Sequence, residues 1–158
     1  MPFHPLSVHL PIGLLLATWG LYVWQVAKPD KPGLAEVSFY ALLASEIALI
    51  LAVITGRNAE TDIIQTAQIH ELVETHETAG YVLVWIMGLL TLWVYLRGHR
   101  WKKGELLTFF LTFTMACGLM AYGAHLGGKL VYEQGAGVMP MEELLKLQRQ
   151  TEQLNILP

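Results

Sequence analysis

Cysteine is the scarcest residue with useful chemistry in this chain of 158 residues, which contains only Cys117. A single cysteine excludes an internal disulfide and any metal cluster built on several thiolates. The C-x-x-C-H sequence that attaches c-type haem is also absent, so covalent haem is excluded. The three serines, Ser7, Ser38 and Ser45, have no evident catalytic partners, and no glycine-rich phosphate loop precedes a helix. These absences give no positive indication of a stand-alone enzyme.

Charge is also scarce. Only 15% of the residues are charged, against about 25% in a typical soluble domain, whereas 54% are hydrophobic and the mean hydropathy is +0.44. The net charge of −3 offers no basic surface for nucleic acid. The first apolar run lacks a basic segment before it and is too long for a signal peptide, so we expect it to stay in the mature protein.

Four long apolar runs account for most of the hydrophobicity: residues 6–26, 37–55, 79–96 and 106–124, the last followed by further apolar residues to Gly128. A helix of about 20 residues spans roughly 30 Å, the thickness of the bilayer hydrocarbon. No run alternates as a barrel strand would. The sequence therefore predicts an all-α membrane protein, a four-transmembrane-helix up-down bundle.

The segments between the runs set the domain organisation. Short turns at 27–36 and 97–105 join the runs in pairs, and the longer link 56–78 is interpreted as a short amphipathic interfacial helix, on the pattern of Ile63, Ile64, Ala67, Leu72 and Val73. Residues 1–138 form the predicted transmembrane domain. Residues 139–158 form a polar C-terminal extension, with a helix predicted from Met141 to Gln153.

The basic residues predict the orientation of the bundle. Six of the ten lysines and arginines lie in the turns 27–36 and 97–105, whereas the link 56–78 is acidic. The positive-inside rule places both basic turns in the cytoplasm and both termini on the outer, periplasmic face. We therefore expect a multi-pass protein of the bacterial inner membrane.

An up-down bundle brings five of the six histidines to the outer face: His4, His9, His70, His76 and His125. Of these, His9, His76 and His125 are expected near the outer hydrocarbon boundary on three different helices. Bundles often build cofactor sites from side chains on facing helices, and imidazole is a common ligand of metals and of haem iron. The pattern predicts a haem or metal site, with interfacial histidines that bond water or lipid as the alternative.

Other metal patterns do not fit this spacing. His70 and His76 are six positions apart, whereas H-E-x-x-H requires four, and there is no Glu-x-x-His pair for a carboxylate di-iron centre. A copper or zinc site made of histidines remains an alternative. Glu46, in the middle of the second run, is a candidate for proton or quinone contact; the alternative is a protonated carboxyl bonded to Thr112, Thr114 or Tyr122.

Two end motifs resemble those of a known family. Residues 4–12, His-Pro-Leu-Ser-Val-His-Leu-Pro-Ile, resemble the opening signature of the bacterial DUF2231 membrane proteins, and residues 127–132 with 135–138 resemble their closing signature. Thr55-Gly56 and His76 also match positions of that family. The resemblance implies a four-helix membrane domain, often found beside c-type cytochrome modules. Many relatives carry an aromatic residue where this chain has His125, and the tail from Met139 has no counterpart.

The leading hypothesis from the sequence is a membrane electron-transfer subunit with one or two haem b groups. Two of His9, His76 and His125 would bind the iron, and the third, with His4 or His70, would serve a second haem or a hydrogen bond. The partner would be a c-type cytochrome, another subunit of a membrane redox complex, or a quinone. The alternatives are a non-redox assembly or anchoring subunit and a copper or zinc site.

Overall fold

The computed structural model describes residues 4–60, 66–98, 101–102, 104–136 and 138–156. Six helices follow one another along the chain: α1 (His4–Ser7), α2 (His9–Ala27), α3 (Leu34–Glu60), α4 (Ala67–Arg97), α5 (Glu105–Tyr132) and α6 (Met139–Ile156). No strand occurs among the described residues. Helices α2, α3, α4 and α5 are each long and apolar enough to cross a membrane. The predicted four-helix membrane bundle is therefore confirmed.

The helices run up and down, so both ends of the described chain lie at the same end of the bundle. We call this end the terminal face and the opposite end, with its two short turns, the turn face. At the turn face, Pro29, Pro32 and Gly33 interrupt the helix between α2 and α3. Gly98 ends α4 in the left-handed conformation (φ 54°), and an Arg97–Glu105 ion pair closes the second turn.

The predicted interfacial helix in the link 56–78 is wrong for the residues that the structure describes. Helix α3 continues to Glu60, and α4 begins at Ala67 and runs without a break into the third span. The Thr66 side chain accepts a hydrogen bond from the Ile69 amide and caps α4, and no helix breaker precedes Gly80. Ile63 and Ile64, which were part of that prediction, lie outside the described residues.

The bundle core is aromatic toward the turn face. Tyr22 packs against Phe109 and Phe113, with ring centroids 4.6 and 5.8 Å away. Hydrogen bonds also join the helices in this half of the bundle, among them Thr18 to Ser45 (3.0 Å between hydroxyl oxygens) and the Trp19 indole to the Thr114 hydroxyl (3.0 Å). Large apolar side chains remain exposed on the outside of the four spans, as a lipid-facing surface requires, among them Leu16, Ile47, Trp85, Leu111 and Met115.

The chain after α5 folds back over the terminal face. Ala136 is buried with Ile69, Val73 and Leu130, and Leu145 of α6 packs against this cluster. The Ala136 amide donates to the Leu130 carbonyl, which fixes the turn after α5. Helix α6 covers the segment where a C-terminal helix was predicted.

Candidate two-histidine site

The first histidine of the site lies at the start of α1, which packs against α3. Val8 lies between α1 and α2, but its backbone is helical (φ −68°, ψ −22°) and its amide donates to the His4 carbonyl at 3.1 Å, so the two helices are nearly continuous. The Ser7 hydroxyl lies 2.9 Å from the His4 carbonyl and 2.8 Å from the Thr55 hydroxyl. Nδ1 of His4 lies 3.3 Å from that same Thr55 oxygen. Because the Thr55 hydroxyl donates to the Ala52 carbonyl (2.9 Å), its oxygen accepts from the His4 ring.

The His4 ring also bonds to the backbone of Ala52. A carbonyl can only accept and a neutral imidazole has a single N–H, so Thr55 and Ala52 share the Nδ1–H of His4. Burial lowers the pKa of His4, the neighbouring His76 lowers it further, and the Ala52 bond opposes both. His4 is thus held as a neutral imidazole.

The second histidine belongs to α4 and points toward α5. Nδ1 of His76 lies 2.9 Å from the carbonyl oxygen of Gly123. The oxygen accepts, so Nδ1 carries the proton and Nε2 keeps its lone pair. The half-buried His76 ring lies against Gly127, where a Cβ atom would be 3.3 Å from its Cε1 atom.

The two imidazoles face each other across the bundle. Their ring centroids are 6.4 Å apart and their planes are inclined by 75°. The His4 ring lies against Gly56 of α3, where a Cβ atom would be 2.9 Å from its Cε1 atom. Each ring thus has a backbone acceptor for an N–H and a glycine beneath it.

Both histidines line a cavity of about 630 Å³ in the half of the bundle near the terminal face. This size is within the range of ligand pockets, roughly 300–1,000 Å³. Its deeper wall is apolar, with Leu49 and Leu83, and the turn after α5 contributes Ala136 and Val138. The cavity could hold a flat apolar ligand with two imidazoles beside it.

Acidic side chains give the cavity a polar edge. Glu60 and Glu77 line it, and their side chains are hydrogen-bonded to each other, with the Arg57 charge nearby. This edge is formed by α3 and α4, whereas the edge near α5 is apolar.

The site lies near one boundary of the membrane. His76 is 21 positions before Arg97 along α4, which places it about 32 Å from the turn face at 1.5 Å per residue. The hydrocarbon of a bilayer is about 30 Å thick. His76 is thus separated from the turn face by about the thickness of the hydrocarbon layer.

The other three candidate histidines do not join this pair. His9, His70 and His125 are exposed and do not line the cavity. His125 is two positions after Gly123, a rotation of about 200° around α5, so it points away from His76. His9 is five positions after His4, a rotation of about 140° around the helix, and it is exposed. Of the five predicted site histidines, the structure brings His4 and His76 together.

Glu46 is buried in α3 but lies outside the cavity. It is 8% exposed, its Oε2 atom has no hydrogen-bond partner among the described residues, and a Cβ atom at Gly88 would be 3.4 Å from its Oε1. The expected bonds to α5 are not formed. Thr112 and Thr114 donate to carbonyls of their own helix, and Tyr122 is exposed. Glu46 faces α4 instead.

Sequence reasoning missed the residues that orient the two imidazoles. The small residues of the fourth run suggested close approach in general, but nothing marked Gly123 and Gly127 as the partners of His76. Thr55 and Gly56 were noted only as matches to a family. Among the described residues, no group of three or more histidine, cysteine, aspartate or glutamate side chains could hold a metal ion.

Comparison with known proteins gives one match. A family model described as a predicted membrane protein (DUF2231) matches residues 1–140. No curated protein and no solved structure matches the chain.

Proposed function

Since the chain belongs to the DUF2231 family of predicted membrane proteins, we propose its function from its own site: it binds haem b between His4 and His76 and transfers electrons at the terminal face. The observation that carries this proposal is the imidazole pair. The rings face one cavity, both have an N–H bonded to the protein, and their centroids are 6.4 Å apart.

The separation of the rings fits two ligands of one iron. If the two imidazoles bound one metal from opposite sides at about 2.0–2.1 Å per bond, their ring centres would be about 6.3–6.5 Å apart. The hydrogen bonds at the opposite ring nitrogen are those that ligating histidines usually make, since they fix the tautomer and the ring plane. His76 therefore remains a proposed iron ligand, and His4 takes the place of His9 and His125 as the other.

Haem fits this donor set better than a bare metal ion. Structural zinc usually takes four protein ligands and catalytic zinc three, whereas the described residues place only two imidazoles at the cavity. A macrocycle supplies the other four ligands of its iron and fills an apolar space. The copper or zinc alternative is thus less well supported.

Coordination of the iron by both His4 and His76 would favour electron transfer. Two histidines would leave no open position on the iron for oxygen or substrate. The cavity reaches the terminal face, where a c-type cytochrome or another redox subunit could approach, and a quinone could approach from the lipid. If the basic turns face the cytoplasm, this site lies on the periplasmic side of a bacterial inner membrane.

The decisive experiment is a dithionite-reduced minus oxidised absorption spectrum of the full chain, purified in detergent from haem-sufficient cells. We expect b-type bands in the wild type and their loss in His4→Ala and His76→Ala. His9→Ala, His70→Ala and His125→Ala are matched controls, because these side chains are exposed and outside the cavity. The controls should keep the bands.

Three outcomes would contradict the proposal in different ways. A flat wild-type spectrum would reject haem, and elemental analysis of the same sample would then test copper and zinc. Bands that survive in both His4→Ala and His76→Ala would reject this ligand pair. Loss of the bands in His125→Ala would indicate that His125, on the exposed side of α5, is an iron ligand.

A second candidate function, an assembly or anchoring subunit, is favoured by the surface of α6. Its described side chains include an exposed apolar stripe at Met141, Leu144 and Leu147, spaced as on one face of a helix. Such a stripe suits a partner protein. Leu144→Glu with Leu147→Glu should abolish co-purification of a partner subunit and leave any haem bands unchanged, whereas unchanged co-purification would reject this role for α6.

A further inference from the structure

The two histidines have the same position within two helical hairpins. His4 precedes α2 and lies against Gly56 near the end of α3; His76 lies in α4 and rests against Gly127 near the end of α5. Gly56 follows His4 by 52 positions, and Gly127 follows His76 by 51. The backbone acceptors, Ala52 and Gly123, each precede their glycine by four positions.

The turns between the helices match as well. Gly33 directly precedes α3 with φ 74°, and Gly104 directly precedes α5 with φ 97°. They are 71 positions apart, the same offset as between Gly56 and Gly127. Both hairpins therefore turn at a glycine with positive φ, a conformation that other residues rarely adopt.

The buried positions repeat with the same offsets. Several buried residues in the first helix of each hairpin have a buried counterpart 72 positions away, and several in the second helix have one 71 positions away. The pairs are Leu15 with Met87, Thr18 with Leu90, Tyr22 with Val94, Ser38 with Phe109, Leu42 with Phe113, and Ser45 with Ala116. None of these pairs shares a residue type, which is why no repeat was evident from the sequence.

We propose that residues 4–60 and 76–131 are structural repeats related by a pseudo-twofold axis along the membrane normal, and that Gly56 and Gly127 are equivalent positioning residues for the two imidazoles. The axis passes between His4 and His76, so a ligand bound to both sits on it. The part about positioning rests on the proposed function of the cavity as a two-histidine site. The part about the repeat does not depend on it.

The glycines position the rings because a methyl group would clash with the His4 ring at Gly56 and would crowd the His76 ring at Gly127. A Cβ atom at Gly56 would be 2.9 Å from Cε1 of His4, and at Gly127 it would be 3.3 Å from Cε1 of His76. The imidazole is the far end of a flexible side chain, so the ring would turn away and the helices would stay. A turned ring would aim its free nitrogen away from the axis.

Alanine substitutions test the positioning role. Gly56→Ala and Gly127→Ala should weaken haem binding, by about 10- to 100-fold for Gly56→Ala, the loss typical when support of a ligating residue is removed. Gly127→Ala should cost less, because its contact is longer. Gly128→Ala is the matched control on the same helix, since a Cβ atom there meets nothing within 4 Å; it should bind haem like the wild type.

A measurement on ligand-free protein separates this proposal from the proposed function. Nitrogen-15 spectra of the histidine rings should show the Nδ1–H tautomer for both His4 and His76 in the wild type. Gly56→Ala should change the His4 signals alone and Gly127→Ala the His76 signals alone. Unchanged ring signals in both variants would reject the positioning role, whether or not haem binds.

Spin-label distances test the repeat. In a Cys117→Ser background, labels at positions 10 and 36 should give the same distance distribution as labels at 82 and 107. Position 82 is the repeat equivalent of position 10, at an offset of 72, and position 107 is the equivalent of position 36, at an offset of 71. The four residues replaced, Leu10, Glu36, Val82 and Leu107, are exposed. Coincident distributions would support the pseudo-twofold axis, and clearly separate maxima would overturn it.

Discussion

The two histidine side chains of the site are oriented by burial and by hydrogen bonds to neighbouring helices. The Gly123 carbonyl fixes which His76 nitrogen carries the proton. The Thr55 oxygen and the Ala52 carbonyl do the same for His4. An imidazole must be neutral to bind a metal. The hydrogen bonds of His4 and His76 to the protein favour the tautomer in which Nδ1 carries the proton and Nε2 is free to bind.

The protonation of His4 gives a prediction for the ligand-free protein. Burial, followed by the charge of His76, lowers the pKa of His4 below its usual 6.5. The unfolded chain then takes up the proton first as the pH falls, so this histidine destabilises the fold below about pH 6.5. An NMR titration should give a pKa below 6.5, and His76→Ala should raise it only in part, because burial remains.

The control for this titration is His70→Ala, which removes an exposed histidine outside the cavity. That variant should leave the His4 titration unchanged. A His4 pKa at or above 6.5 in the wild type would mean that the ring is solvated, and the packing against Gly56 would then be incorrect.

Glu46 gives a prediction about stability, because no described residue forms a hydrogen bond with its buried Oε2 atom. A carboxyl at mid-membrane costs roughly 2.5–3.5 kcal/mol on insertion scales. Glu46→Met, of similar length and apolar, should stabilise the protein by about 1–3 kcal/mol in a reversible unfolding assay. Since Glu46 does not line the cavity, haem binding should not change; its loss would assign the carboxyl a functional role.

At the scale of elements, the number of spans followed from the sequence but their lengths did not. Uncharged runs mark the hydrocarbon region, so four helices were predictable from hydropathy alone. The ends were not, because α3 and α4 continue into polar segments that contain Arg57, Glu60, Glu71 and Glu74. Helix caps and tertiary packing outweigh polarity there, and hydropathy carries no information about them.

The cap of α4 provides a prediction at this scale. The Thr66 oxygen accepts from the Ile69 amide at 3.3 Å, and Ile69 packs under Ala136. Loss of an N-cap costs about 1 kcal/mol, so Thr66→Ala should loosen the first turn of α4. Hydrogen exchange should speed up at 67–72 and around Ala136 together. Thr75→Ala is the control, because Thr75 is exposed and bonds only to the Glu71 carbonyl.

At the scale of the whole molecule, an up-down bundle predicted which histidines share a face, but not which of them meet. All five candidates follow from helix order. The choice of His4 and His76 depends on the rotation of each side chain around its helix, which a pattern of apolar runs does not give. His4 was ranked below His9 for this reason, although it is His4 that turns inward.

The length of the helices relative to the membrane leads to a prediction of topology. Helices α3, α4 and α5 have 27, 31 and 28 residues, about 40–46 Å at 1.5 Å each, whereas the hydrocarbon is about 30 Å thick. Basic residues at the turn face favour the cytoplasmic surface, so the excess length and the cavity mouth should project on the opposite side. In a Cys117→Ser background, a membrane-impermeant thiol reagent should label Glu71→Cys from the periplasm in intact cells and Asp30→Cys only after lysis. The reverse pattern would put the histidine site in the cytoplasm and exclude a periplasmic electron partner, while leaving the bundle and its imidazole pair unchanged.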